Sequence, residues 1–468
     1  MSNRIVITER DLTVSTLEQN SVTDVVFIPG FATQNTAGTD EAVYCATVEQ
    51  FESYFGTNAP ILGNYTAPVA PATEGTWTDI LYPIKTDSTT YGFDSSAVPY
   101  DSDSETAGVW FVAKSLDPSY VIAKELLSLG MPIYYKAIDY TKGTSTNPYG
   151  DADIAAFYEA LPAAYDELLD VGYFNVKYIT SGGYPTFEYT AAAGNISAKM
   201  ISVASTRGDA IAFIDHADFA ARPLDPSDVG SVFYSVNHSS FAISDASGFG
   251  TMLTPWGEFP MPMNGIKQHC PGSYAYLVSL CSSIRNNPSW LAIAGTTRGL
   301  VPKFGKPLTL NRLSNRIADA YNPVETADIA ANPVAINGIT DIKPYGQCIW
   351  GNRTLKDNAA TNNNTTALSF LNLRNLVCDV KKQLYYAAKS LMFEQNTDIL
   401  WASFKAKVMP LLDQMVSGVG ISGYKIIKEA TPVKGRLKAT VRLYPLYAVE
   451  SFEICVELSN EEVNVTEQ

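Results

Sequence analysis

Apolar segments with helix and strand periodicities alternate through the middle of the chain. From position 117, DPSYVIAKELLSLG places apolar residues at helical spacing between a capping Asp and a terminating glycine, and the strand-like MPIYYKAID follows directly. The same order continues with a helix over 153–169, the strand-like YFNVKYIT, a helix near AAGNISAKMISVASTRG and the strand AIAFID. Strands interleaved with helices of this length predict a mostly parallel sheet with helices on its faces.

The two ends of the chain have β character. RIVIT and LTVST near the start are short β-type runs that predict either a loose tail or an edge strand, and the apolar VVFIPGFA over 25–32 is strand-like. Near the end, RLKATVRLY and ESFEICVEL alternate apolar and polar residues. Helices are predicted over 368–393, with one apolar stripe, and over 397–416, ended by glycines. These elements indicate an α+β C-terminal unit of about 100 residues.

Two regions lack this periodicity. Residues 59–106 are rich in Thr, Ser, Pro, Gly and Asp, which predicts long loops or a small β insertion on the surface. The helix-like SYAYLVSLCSSI is followed by a region rich in loop-forming residues that extends to about residue 340.

Composition restricts the classes of function. A chain of 468 residues with 46% hydrophobic residues is long enough for two to four domains, and a net charge of -15 argues against nucleic acid or an anionic membrane as the main partner. The start of the sequence does not resemble a secretory signal, and no apolar run reaches the roughly 18 residues of a membrane span. We therefore expect a protein folded in a cytosol, with its six scattered cysteines reduced.

Candidate chemistry is sparse. The turn SGGYPT and the segment WGNRTL lack the spacing of a phosphate-binding loop, and the three histidines, His216, His238 and His269, have no GxSxG nucleophile motif beside them. His269 precedes Cys270, but adjacent residues rarely bind one metal ion together. We expect no enzyme activity, no catalytic or cofactor-binding residues and no metal site.

Charge is unevenly distributed. Residues 371–442 carry twelve basic and five acidic residues, a net charge of +7, which leaves -22 for the remainder of the chain. This basic segment is either a solvated lysine face or a docking surface for an acidic partner.

Several motifs, taken in order, resemble those of the tail sheath proteins of contractile phage tails and related injection machines. The run AINGITDIKPYGQCIWGNRTL resembles a GIN element followed by a vwGaRTl element, and STRGDAIAFID is similar to the RgDrfaiLD strand of that family. HCPGSYAYLVSLCSSIRNNPSWLAIAG resembles another family segment, and 370–424 matches the iNvRRL, vFEpNd and GaL.Gy elements. The matching motif residues are Trp350, Gly351, Arg353, Thr354, Asn372, Arg374, Glu394, Asn396 and Trp401.

The resemblance implies a fold class of α/β plus α+β. The expected domains are an N-terminal arm (1–21), an N-terminal region with the β- and loop-rich surface insertion (22–106), a subtilisin-like α/β domain (107–360), a C-terminal sheath domain (361–458) and a tail (459–468). Trp350 is expected to be packed and Arg353 paired at a domain junction. A protease-like fold does not imply protease activity, because folds and active sites are inherited separately.

The resemblance also implies a structural subunit that stacks as hexameric rings around an inner tube and contracts without nucleotide to drive the tube through a cell envelope. The implied partners are further copies of the chain, the tube protein, and baseplate and tail terminator proteins, with no nucleic acid and no direct membrane binding. The location would be a virion tail assembled in the host bacterial cytoplasm.

Two sets of site residues follow from this interpretation. Residues of the terminal arms are expected to add strands to sheets of neighbouring subunits: Ile5, Val6, Ile7, Leu12, Val14, Phe452, Ile454, Val456 and Leu458. Residues of the basic segment are expected to face an acidic tube: Lys381, Lys382, Lys389, Lys405 and Lys407. The alternatives are a surface-layer or capsid protein, which would share the acidity and β arms, and an α/β hydrolase.

Overall fold

The residues that the structure describes lie mainly in the middle and C-terminal regions of the chain. A computed structural model describes residues 24–62, 84–85, 91–92, 116–144, 146–184, 186, 190–191, 194–215, 245, 247–254, 257–260, 267–301, 336–342, 344–356, 366–430 and 437–449. The predictions for RIVIT, LTVST and ESFEICVEL, for His216 and His238, and for most of the 59–106 insertion lie outside these residues.

An eight-stranded sheet is the centre of the molecule. The strands are β1 (Val26–Phe31), β2 (Val43–Cys45), β5 (Ile133–Asp139), β6 (Tyr178–Ile179), β9 (Ile211–Ile214), β10 (Gly250–Thr254), β13 (Ile336–Ile342) and β14 (Gly346–Trp350). Their order in the sheet is β14-β13-β10-β9-β6-β1-β5-β2, with six parallel strands between two antiparallel edge strands. The mostly parallel sheet predicted from the sequence is confirmed.

Helices and short two-stranded pairs accompany the sheet. The helices are α1 (Val48–Phe55), α2 (Pro118–Ser128), α3 (Asp151–Glu167), α4 (Ile196–Arg207), α5 (Gly272–Ile284) and α6 (Gly295–Arg298). The pairs are β3 (Ile84–Lys85) with β4 (Tyr91–Gly92), β7 (Thr190–Ala191) with β8 (Gly194–Asn195), and β11 (Gly257–Pro260) with β12 (Lys267–Cys270).

Helix α2 shows how local sequence fixes an element. The Asp117 carboxylate accepts the backbone N–H groups of Ser119 and Tyr120, both at 3.2 Å, so the predicted cap satisfies the free donors of the first turn. After the helix, Gly130 adopts a φ of 84°, a left-handed conformation that glycine tolerates best.

The predicted boundary after residue 106 does not separate two hydrophobic cores. Strand β1, assigned from sequence to the 22–106 region, lies inside the large sheet between β5 and β6. Val26 of β1 and Tyr120 of α2 belong to one buried cluster, which we call the sheet core. Parallel pairing with later strands, which sequence periodicity does not encode, brings the early segment into the middle of the fold.

A second core, the C-terminal core, is formed by two long helices and a β ribbon. Its elements are a 3₁₀ turn (Ala367–Ser369), α7 (Leu371–Lys389), α8 (Asp398–Ser417), β15 (Ile421–Glu429) and β16 (Lys438–Pro445). Both helices were predicted, within a few residues at each end. Strand β15 was not predicted, and neither were β10, β13 and β14. Of these, β13 begins in the region that the sequence analysis interprets as rich in loops.

Candidate functional site at the junction of the two cores

The segment that follows strand β14 connects the sheet core with the C-terminal core. We call this connecting segment the crossing; it starts at Gly351, which lies against Asn337 of β13. A Cβ atom on Gly351 would lie 2.8 Å from the Asn337 Oδ1 atom and 2.9 Å from its Cα atom. Real Cβ atoms do not approach other heavy atoms this closely, so the close approach requires glycine.

The Asn337 side chain is the main polar group under this crossing, and it is fully buried. Its Oδ1 atom accepts the Arg353 backbone N–H at 2.7 Å, and its Nδ2 atom donates to the Arg353 carbonyl at 2.8 Å. The same amide donates to the Met252 carbonyl at 3.1 Å and to the Thr251 hydroxyl at 3.0 Å. Asn337 therefore acts as a substitute for a strand backbone and joins β10 to the crossing segment.

A second asparagine pair ties the crossing to helix α7. Asn352 donates from Nδ2 to the Asn372 Oδ1 atom at 2.7 Å and accepts the Asn372 backbone N–H at 3.1 Å. Asn372 also donates to the Trp290 carbonyl at 3.4 Å, and the Trp290 indole donates to the Gly418 carbonyl at 3.1 Å. Trp290, which follows α5, is 4% exposed and belongs to the C-terminal core. The part of the protein built on the large sheet, which we call the body, and the C-terminal helices are thus joined by buried hydrogen bonds.

The Arg-Thr pair of the crossing contacts the turn before α7. The Arg353 guanidinium lies 4.4 Å from the Phe370 ring centroid, a distance typical of a cation–π contact. Thr354 donates its backbone N–H to the Ser369 carbonyl at 2.9 Å and its hydroxyl to the Leu368 carbonyl at 2.8 Å.

Arg374 of α7 is buried against the strand β10 region. Its Nε atom donates to the Gly248 carbonyl at 2.7 Å, its terminal nitrogen donates to the Ser247 carbonyl, and the guanidinium lies 4.0 Å from the Phe249 ring centroid. Burial lowers the pKa of this guanidinium below its ordinary value. The charge is held in place by backbone carbonyls and an aromatic face.

A buried ion triad connects α7 to the residues that lead into strands β1 and β6. The Lys177 amine, fully buried, lies 2.6 Å from an Asp24 oxygen and 2.7 Å from an Asp379 oxygen of α7. Ser289 donates to Asp379 at 2.8 Å. Burial works against the charged amine, but the two carboxylates outweigh it and raise the pKa of Lys177 above its ordinary value.

Lys382, predicted to face the tube, lies inside the structure. Its amine is 2.9 Å from an Asp209 carboxylate oxygen and donates to the Asn175 side chain and the Val176 carbonyl, both at 2.9 Å. Burial lowers the pKa of the Lys382 amine below its ordinary value. The side chain anchors α7 on the body of the protein, so the prediction that Lys382 is a surface contact is wrong.

The structure brings some motif residues together and separates others. Gly351, Arg353, Thr354, Asn372 and Arg374 meet at the junction. The packing predicted for Trp350 is wrong, because its side chain at the end of an edge strand is 39% exposed. The remaining three lie at the far end of the α7–α8 hairpin, with Glu394 and Asn396 exposed in its turn and Trp401 stacked on Phe404. The predicted strand-exchange residues lie outside the described part of the chain.

The carboxyl ends of the parallel strands, where α/β enzymes place catalytic groups, hold a buried cluster of one carboxyl and two hydroxyls. Asp215 accepts the Ser273 hydroxyl at 2.7 Å and the Ser181 hydroxyl at 3.3 Å, and all three side chains are at most 3% exposed. Because burial shields these hydroxyls from solvent, the arrangement fits a structural connection between strands and α5. His269 contributes a backbone position in β12.

The Asp215 cluster predicts a loss of stability as pH rises. Burial raises the pKa of Asp215 to about 7, whereas an unfolded Asp titrates near pH 4. The folded chain therefore keeps a proton that the unfolded chain releases, so this stabilisation is complete below about pH 4 and is lost as pH rises to about 7. The pKa of Asp117, raised to about 6 by burial, acts in the same direction.

Thermal unfolding midpoints measured between about pH 5 and pH 7.5 test this dependence. Replacing Asp215 with Asn should flatten the decline of the midpoint with pH, since the amide does not titrate. Asp166→Asn, at a largely exposed carboxylate, is the matched control and should leave the decline unchanged. An Asp215→Asn variant with the wild-type decline would contradict the interpretation.

Other kinds of site are not found among the described residues. They include no cluster of three or more potential metal ligands and no helix long and apolar enough to cross a membrane. Five cysteines, Cys45, Cys270, Cys281, Cys348 and Cys378, are buried free thiols, whereas Cys455 lies outside the described residues.

Comparison with known proteins identifies the fold. No family model and no curated protein sequence matches the chain. Among solved structures, it is similar to a chain of the anti-feeding prophage (AFP) baseplate, 6-fold symmetrised (13% identity, 94% of both chains, TM-score 0.54). It is also similar to the PVC sheath complex of an extracellular contractile injection system in the contracted state (14% identity, 98% of both chains, TM-score 0.52).

A third similar structure is the AFP helical sheath in the contracted state, with 13% identity, 98% of this chain and 100% of that chain covered, and a TM-score of 0.52. All three likenesses extend along nearly the whole chain, so both cores and the junction between them are included. The chain therefore has the mixed α/β fold found in the sheaths of contractile injection systems, as the resemblance in its sequence predicts.

Proposed function

We propose that this protein is the structural subunit of a contractile sheath, which stacks as hexameric rings around an inner tube and contracts to drive the tube through a cell envelope. The observation that carries the proposal is the likeness along 94–98% of the chain to chains of AFP and PVC assemblies, one of them 6-fold symmetrised. No enzyme activity is needed for this function, since an extended lattice that relaxes to a contracted one can do the mechanical work.

In this proposal the body built on the large sheet corresponds to a subtilisin-like domain within 107–360, enlarged by β1 and β2. The C-terminal sheath domain, 361–458, corresponds to the C-terminal core. The buried hydrogen bonds and ions of the junction join these two domains, so that they would move as one body during contraction.

Strand exchange is the proposed contact between subunits. The β15–β16 ribbon pairs with no third strand among the described elements, and a two-stranded ribbon is marginally stable by itself. The β-type segments 4–14 and 450–458 of neighbouring copies are suited to extend it, each added backbone hydrogen bond contributing about 1 kcal/mol net. The arms would keep subunits connected while their bodies rotate.

The proposed partners are the inner tube and the baseplate and terminator proteins that close the sheath. Lys381, Lys389 and Lys407 are exposed, and the half-buried Lys405 places its amine 5.8 Å from the Trp401 ring centroid. We propose that these lysines face an acidic tube, in a particle assembled in the host cytoplasm. Exposed pairs of this kind are individually weak and sensitive to salt, which suits a surface that must release during contraction.

Charge reversal tests the tube-facing lysines. The triple variant Lys389→Glu, Lys405→Glu, Lys407→Glu should lower retention of a candidate tube protein in co-sedimentation about tenfold at low salt, since like charges replace three attractive contacts. Lys199→Glu, on the body, is the control for a change of charge elsewhere. Unchanged retention by the triple variant would show that the basic segment is a solvated face.

Electron microscopy of the purified protein, at moderate and high salt and with a candidate tube protein, tests the function itself. Hollow ribbed cylinders are expected for the full chain, and a chain ending at residue 449 should stay monomeric with an unchanged thermal unfolding midpoint. Flat lattices or closed shells would favour a surface-layer or capsid subunit. Persistent monomers even with the tube present would overturn the proposal.

A further inference from the structure

The β15–β16 ribbon has two chemically different faces. Its inner face packs on the C-terminal core through Tyr424, Ile426, Ala439, Val441 and Leu443. Its outer face carries Lys425 and Arg442, which stand directly opposite each other in the antiparallel register and are both exposed. Like charges directly opposite each other destabilise a strand pair, so these two cations lower the stability of the isolated ribbon.

The acids near this cation pair do not neutralise it. In the described part of the chain, neither Lys425 nor Arg442 has a carboxylate within 4.0 Å. Glu429, on the same face, is bonded to Lys438 and to the Thr440 hydroxyl, and Arg442 also contributes to lowering the pKa of its carboxyl. With Lys438, the outer face carries three cations against this one carboxylate, so it keeps an excess of positive charge beside the strand edges.

We propose that Lys425 and Arg442 select the acidic segment 450–458 of a second copy of this chain, through its residues Glu453 and Glu457. The proposal rests on the strand exchange proposed above and adds to it the side chains that determine which segment is bound. An anionic strand beside the ribbon relieves the repulsion between the two cations, so binding of the segment and stability of the ribbon are coupled.

Charge identifies this segment as the occupant. Residues 450–468 contain six glutamates and no lysine or arginine, whereas the other proposed arm, 4–14, contains two arginines against one glutamate and one aspartate. The first is strongly acidic and the second is neutral. Only the C-terminal segment complements the cation pair.

Strand periodicity places the glutamates on the required face. In 450–458 the apolar residues alternate with Glu453 and Glu457, and successive side chains of a strand point to opposite faces. A strand that extends the inner apolar face of the ribbon must therefore present both glutamates on the outer face, which carries Lys425 and Arg442. A shift by one residue would bury the glutamates, so the charges also fix the register.

The path of the chain after β16 favours a second copy over the same chain. The Leu446 backbone N–H donates to the Gly420 carbonyl at 3.2 Å, and the Tyr447 ring lies edge-on to Phe370 at 5.3 Å between centroids. The chain thus leaves the end of the ribbon and runs towards the junction of the two cores. As far as Val449, the last described residue, it does not turn back along the open edge.

A charge-swap experiment on the full chain tests the proposal. One variant reverses the ribbon (Lys425→Glu, Arg442→Glu) and a second reverses the segment (Glu453→Lys, Glu457→Lys). Each variant alone should lose sedimentable cylinders about tenfold, because its copies place like charges together, and an equimolar mixture should recover them. Lys199→Glu, Arg285→Glu is the control with the same charge change outside both the ribbon and the proposed tube-facing lysines, and it should assemble normally.

The other outcomes each exclude a different step. Normal assembly of both variants would overturn the charge pairing while leaving the sheath function intact. Recovery only when all four changes are in one chain would show that the segment pairs with its own ribbon. Failure of every variant and of the mixture would mean that the residues act through something other than pairing. If the wild-type chain itself forms no cylinders, the proposed function fails, and this inference fails with it.

Discussion

Replacing Lys177 with Met is expected to lower the free energy of unfolding by about 3–5 kcal/mol, since it leaves two carboxylates buried without their cation. Asp24 and Asp379 are 3% and 2% exposed, so water cannot solvate them in place of the amine. Because Asp379 belongs to α7, the damage should extend to the contact between the C-terminal helix and the sheet. Guanidinium unfolding followed by tryptophan fluorescence measures the loss.

Two controls separate the triad from a general effect of removing a lysine. Lys199→Met removes a largely exposed pair with Asp166 and should cost less than about 1 kcal/mol. The triple variant Lys177→Met, Asp24→Asn, Asp379→Asn removes all three charges and should regain most of the lost stability. A Lys177→Met loss no larger than that of Lys199→Met would refute the argument.

The sequence predicts those parts of the fold that local periodicity encodes. Helix α2 is marked by a capping Asp, a helical stripe and Gly130, and each of these features is visible in one short stretch. The ends of α8 are marked in the same way by Thr397, whose hydroxyl accepts the Leu400 backbone N–H, and by Gly418. Such elements depend on interactions between residues a few positions apart.

Strand β13 was missed because its parallel pairing with β10 is not local, and its hairpin partner β14 was missed with it. Strand β13 carries Asn337 as its second residue, and this polar residue is typical of a loop unless its bonds to the Arg353 backbone are known. Its neighbour β10 precedes it by more than eighty residues. An asparagine among the three isoleucines of INGITDI was the available signal, and Lys177 in the strand-like YFNVKYIT was a second.

Charge counts also failed to distinguish exposed from buried lysines. Lys381 and Lys382 are adjacent on α7, but Lys381 is exposed, with its amine on the Gly208 carbonyl at 2.7 Å, whereas Lys382 is buried in the contact with Asp209. The net charge of the 371–442 segment therefore overstates its surface charge: Lys382 and Arg374 are buried cations that hold the helix on the body. The orientation of a helix about its axis requires tertiary contacts, and the sequence motif alone does not supply them.

The second large effect is expected at Asn337. Asn337→Ala removes the donor and the acceptor that serve the Arg353 backbone and a donor to the Met252 carbonyl, all in a site with no exposure to water. A buried polar group left without a partner costs about 1–3 kcal/mol, so the variant should lose roughly 2–4 kcal/mol of unfolding free energy. The largest local change should be faster hydrogen exchange at the Arg353 amide.

The pattern of control variants distinguishes this role from a loss of side-chain volume. Asn337→Asp has nearly the same shape and still accepts the Arg353 N–H, but it cannot donate to the carbonyls, so it should destabilise the junction as strongly as Ala. Asn396→Ala changes an exposed residue of another motif and should have an effect within about 0.5 kcal/mol. If Asn337→Asp retained wild-type stability, Asn337 would be filling space. If Asn337→Ala and Asn337→Asp both lose stability as expected while Asn396→Ala does not, the crossing depends on a side-chain amide that replaces a strand backbone.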